Sequence, residues 1–159
     1  MSVAIDTNAN ELVVLDLQQV QEIWTGEWID GARIQVFALT PAGPHFARSF
    51  SKFGSDVSVG GLNRPMHIVV DGQSRYSMSN CWPVGKIVIY DHLGTFLGLL
   101  DDETVSLKTP PGIAIGATNR LYSASSVGQQ LDVLWAWRQL SGSRSYAAVP
   151  LSSGQSTAE

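Results

Sequence analysis

The chain has 159 residues, 44% of them apolar and 15% charged, where soluble domains average ~25% charged. That length allows one domain burying about two-thirds of its unfolded surface, and the 15 Gly and 7 Pro suit a turn-rich β protein. The net charge of −4, with Lys and Arg scattered, counts against a phosphate-tracking surface, so no nucleic-acid partner is expected.

The lone Cys81 rules out an intrachain disulfide, and with three His it offers no zinc-ligand spacing. No cofactor or metal is therefore expected. The opening residues Met1 to Asp6 lack a basic segment followed by an apolar core, and no apolar run approaches the ~20 residues that cross a bilayer. The expectation is a soluble, cytoplasmic chain with no membrane partner.

In chain order, Ser2-Val3-Ala4-Ile5-Asp6 and Asn10-Glu11-Leu12-Val13-Val14-Leu15-Asp16 read as two strands. The stretch 17–30 carries Val20, Ile23 and Trp24 at a spacing that fits a strand and a helical turn equally. A third strand is expected at Arg33 to Phe37 and a fourth at His45 to Phe50, separated by the turn Thr40-Pro41-Ala42-Gly43-Pro44. A Gly/Ser-rich connection, 51–65, follows.

Met66-His67-Ile68-Val69-Val70-Asp71 starts a second unit. Ser74 to Asn80 alternates small polar residues with Tyr76 and Met78, Lys86 to Asp91 is β-branched, and Thr95 to Leu100 completes four strands joined by short turns. Such turns require an antiparallel meander. A polar connection, 101–111, leads to Gly112 to Gly116, Asn119 to Ser125, Gln130 to Leu134 and a weaker candidate at Ser145 to Val149. The first strands begin 64 and then 46 residues apart, so the four-stranded unit recurs three times, at about 2–50, 64–100 and 111–150. One domain over 1–151 and a disordered tail at 152–159 are expected.

The order of Pro, an apolar strand ending in Asp, a turn, an aromatic-containing strand and an Ile-x-Val-aromatic strand resembles the NHL repeat of β-propellers. It is carried by Arg64 to Asp71 with Lys86 to Gly94, and by Pro111 to Ile115 with Arg120 to Tyr122. Gly116 stands where the pattern has Asp, and Asp16 is the one second-strand Asp. The fold expectation is all-β, propeller-like, with single closed β-barrel as the alternative. Propellers close with about four to eight blades. Three blades leave open edges, so a homodimer completing the ring is expected, with Arg33 to Phe37 and Ser145 to Val149 as edge strands.

Function in a propeller gathers where loops meet the central channel. Ligand-binding candidates are Trp24, Trp28, Asn80, Trp82 and Gln129 on the loops after the second strands, with Arg64, His67 and Asp71 at the innermost strand. Aromatics beside amides could stack on a glycan or flat small molecule, and the same loops could hold a protein; the competing and favoured reading is that Trp24, Trp82 and Trp135 fill gaps between blades. Asp6 and Asp71 end equivalent strands and could form a layer of acids, or simply accept turn N–H groups. A buried spectator role is expected for Cys81, and solvated turn positions for His45 and His92. The leading expectation is a non-catalytic binding or scaffold module. The resemblance also implies an alternative, a metal-dependent lyase or lactonase-like hydrolase using His67, Asp6 and Asp71.

Overall fold

The computed structural model describes residues 1–21, 28–50, 52–53, 60–62, 64–80, 85–100, 112–117, 119–124, 131–134 and 145–146. They contain strands and turns and no helix, so none is long and apolar enough to cross a membrane. Among the described residues, twelve of fourteen strands form three main sheets and the other two pair separately.

The first sheet runs β1 (Ser2–Asp6), β2 (Glu11–Gln21), β3 (Trp28–Thr40) and β4 (Gly43–Phe50), antiparallel and in chain order. β2 and β3 pair from Glu11↔Ala38 to Gln21↔Trp28, well past the end of β1, so strand continues into both flanks of the ambiguous stretch. Residues 22–27 lie outside the described set. β3, expected at an edge, is hydrogen-bonded on both sides.

In the connection, β5 (Lys52–Phe53) and β6 (Gly61–Leu62) pair in parallel. Leu62 is fully buried, although the Gly/Ser-rich sequence around it reads as loop.

The middle sheet holds β7 (Pro65–Val70), β8 (Tyr76–Asn80), β9 (Lys86–Tyr90) and β10 (Phe96–Leu100), close to the expected bounds. The third holds β11 (Gly112–Ile115), β12 (Leu121–Ala124) and β13 (Leu131–Leu134). Ser145–Tyr146, expected as the fourth strand of the third unit, instead forms β14 and pairs in parallel with β10 of the middle sheet. No sheet is closed among the described residues.

The core lies between sheets. Val13, Leu15, Ala32, Ile34 and Val36 of the first sheet share one buried cluster with Leu62 and with Ile68, Tyr76, Met78, Val88 and Tyr90 of the middle sheet. The opposite face of the middle sheet supplies Ile87, Ile89 and Leu100 to a second cluster with Ile113 and Leu121 of the third. Period-two alternation assigns each residue to its seam, and burying one such side chain contributes about 1.5–3 kcal/mol. The first strands of the three sheets, β1, β7 and β11, are consecutive neighbours.

Candidate functional site

Three hairpins at one end of these first strands set the local geometry. The Asp71 carbonyl accepts from Ser74 N at 3.0 Å and its N–H donates to Arg75 O at 3.1 Å; Gly116, Asn119 and Arg120 repeat both bonds at 3.0 and 2.8 Å. Such a three-residue loop places its last residue in the left-handed region, and Ser74 and Asn119 have φ of 57° and 56°. Glycine would fit there without strain, yet both side chains are used. Ser74 Oγ donates to Asp6 Oδ1 at 2.9 Å, and Asn119 Oδ1 accepts from Gly72 N at 3.2 Å. Each reaches the turn of the preceding sheet. Asn8 Nδ2 adds a bond to Gly72 O at 2.9 Å, so the three turns form one row.

This row uses the acids expected near a channel mouth. Asp71 Oδ1 accepts from the N–H groups of Gln73 and Arg75, and Oδ2 pairs with the Arg75 guanidinium at 2.6 Å. Asp6 Oδ1 accepts from Asn8 N and Ala9 N as well as Ser74, while Oδ2 is buried without a partner. The turn role of Asp is thus what the structure displays at both positions.

At the other end of β7, His67 lies opposite Ser79 and Pro65 opposite Asn80. His67 N donates to Ser79 Oγ at 3.1 Å; its half-buried ring leaves Nδ1 buried without a partner. Asn80 is fully buried, and Arg64 is exposed with φ of 53°. Arg64, His67 and Asn80 therefore gather at one end of the middle sheet. Asp71 lies four strand residues from His67, about 13 Å away at ~3.3 Å per residue. The four do not make one site. Trp28 begins β3, whereas Trp24, Trp82, Gln129 and Cys81 lie outside the described residues. His45 and His92 are exposed. Among the described residues no three His, Cys, Asp or Glu side chains converge as metal ligands.

Two features escaped sequence reading. The first is a clamp across the first seam. Arg48 on β4 holds Glu11 with two bonds, at 2.6 and 2.8 Å, contacts the Tyr76 hydroxyl at 3.2 Å, and donates twice to the His92 carbonyl. The Arg48 hydrogen bond holds the Glu11 carboxyl below its usual range, and burial pushes the Tyr76 phenol upward. Burial also pushes the Tyr90 phenol up to about 12; its hydroxyl donates to the Gly60 carbonyl.

The second feature is the outer face of the first sheet. Val3 is 55% exposed, Ile5 59% and Phe46 61%. Register aligns Val3 with Val14, Ile5 with Leu12, Leu12 with Phe37 and Phe37 with Phe46, so these side chains share one face. The rings of Phe37 and Phe46 meet edge-on at 5.8 Å. Farther along this face Arg33 and Asp16 pair at 2.8 Å, which neutralises both charges. A contiguous apolar face of this kind has protein contact as its natural chemistry.

No protein-family model matches the chain, and no curated protein matches it.

Proposed function

We propose that this protein is a non-catalytic binding or scaffold module, an NHL-like open propeller of three blades that self-associates as a dimer and presents loops to a protein, glycan or small-molecule ligand. The outer face of the first sheet carries this reading. Its exposed Val3, Ile5 and Phe46 favour a protein surface over a reaction centre. The adjacency of β1, β7 and β11 supports the propeller-like arrangement, since innermost strands of successive blades would be neighbours.

The catalytic alternative draws on His67, Asp6 and Asp71. Both carboxylates are engaged in turns, and the Asp71 carboxylate is further neutralised by Arg75. The partnerless Nδ1 of His67 and Oδ2 of Asp6 are the observations in its favour. Elemental analysis of the purified protein separates the two readings. Substoichiometric zinc and calcium is expected; one tightly held ion per chain would move the assignment to a metal-dependent lyase or hydrolase.

A further inference from the structure

The three hairpin turns fix equivalent positions in the three sheets. Counting back from Asp6, Asp71 and Gly116 aligns Val3 with Ile68 and Ile113, and Ile5 with Val70 and Ile115. Counting forward through the pairings aligns Leu12 with Tyr76 and Leu121. In the middle and third sheets these positions face the preceding sheet, where Ile68 is 1% exposed and Ile113 3%. In the first sheet Val3 and Ile5 are open to solvent and Leu12 is half-buried.

The opposite faces follow the same rule. Ala4 packs into the first seam and Val69 into the second, whereas their equivalent on the third sheet, Ala114, is exposed. The described part of the chain thus offers one open face of each kind. They are the two halves of a seam that the molecule already builds twice.

Resting on the self-associating reading above, we propose that the outer face of the first sheet is seated on the far face of the third sheet of a second copy. A two-fold axis repeats the contact, giving a head-to-tail ring of six sheets. Six lies within the four to eight that propellers close with, and a ring leaves no open face for further growth. The chemistry of the face fits this occupant. Val3, Ile5, Phe37 and Phe46 make it apolar, and among the described residues its charged pair, Arg33 with Asp16, is self-neutralised, so the part of the face they form offers no charge by which to select a partner.

The test uses two single-cysteine variants, Val3→Cys and Ala114→Cys, each with Cys81→Ser. Both positions are exposed, and circular dichroism checks the fold of each. Mixed under mild oxidation, they are expected to give a covalent product of two chains, while neither variant alone does. Adding Phe46→Asp to the Val3→Cys chain is expected to abolish the product with its circular dichroism unchanged. If Val3→Cys instead cross-links to itself in a protein of dimeric mass, the head-to-tail seating is overturned and self-association stands. A single-chain mass at every concentration overturns both.

Discussion

The two seams flanking the middle sheet are built by different means. The first brings Phe50, Tyr76, Tyr90 and Phe96 together, with Phe50 stacked on Tyr76 at 6.0 Å and tilted against Tyr90 at 5.7 Å. Arg48 then bolts Glu11 to Tyr76 and to the His92 carbonyl. The second seam is aliphatic, formed by Ile87, Ile89, Leu100, Ile113 and Leu121, and among its neighbours the buried hydroxyls of Ser77 and Ser123 have no hydrogen-bond partner. Rings and a forked guanidinium define one relative placement of two sheets. Branched aliphatics contribute burial with little directional preference. The first seam is therefore expected to be the more rigid, and the third sheet to open first.

The largest effect is expected at Tyr76. Replacing it by Ala removes a buried ring and the Glu11 and Arg48 contacts, costing about 4 kcal/mol by denaturant titration; a loss no greater than that of Leu121→Ala would erase the contrast between the seams. Next comes Gly94, whose φ is 90° and whose added Cβ would strike the Phe50 ring. Gly94→Ala should cost about 2–3 kcal/mol. Arg48→Met should cost about 2 kcal/mol, because Glu11 is left without its guanidinium.

The same clamp sets a pH dependence. The Glu11 carboxyl is held low in the folded chain, so its stabilisation is complete above the ordinary carboxylate range and is lost as pH falls through the lower, folded value. Glu11→Gln should flatten the acid limb of a plot of stability against pH. At the alkaline end the sign reverses. Tyr90 ionises near 10 when unfolded and at about 12 when folded, so its contribution is whole below pH 10 and declines up to about 12. Tyr90→Phe should remove that part of the decline.

The smallest effect sharpens the comparison from the other side. Because the Ser77 and Ser123 hydroxyls are buried without partners, Ser77→Ala and Ser123→Ala should leave stability unchanged or raise it by up to about 1 kcal/mol. A loss above about 1 kcal/mol in thermal unfolding would mean that directional bonds hold the interior of the second seam as well as its turn, where Asn119 accepts from Gly72 N.

The middle sheet was the most legible part of the sequence. Its turns begin with Asp71 and Asp91, whose carboxylates cap the N–H groups of the loops that follow, and they bracket strands of clear β-branched or alternating character. Contacts made between distant segments were not legible. Arg48 sits in a strand with no local sign that its partner is Glu11, 37 positions away. Leu62 stands in a Gly/Ser-rich stretch and still enters the core. Arg33 to Phe37, expected at an edge because three blades leave open edges, is enclosed because β3 pairs with β2 on one side and β4 on the other. The exposure of Val3 and Ile5 was hidden for a related reason: an apolar strand reads the same whether or not a sheet covers it. Of the proposed ligand residues, Arg64, His67 and Asn80 do share one end of the middle sheet, whereas Asp71 belongs to the turn row.

The central claim is that an open arc of three sheets is completed by a second copy. Light scattering coupled to size exclusion tests it most directly, across a hundredfold range of concentration. The account predicts a mass of twice 17.2 kDa that falls to one chain in Phe46→Asp. A wild-type mass of 17.2 kDa throughout would contradict it.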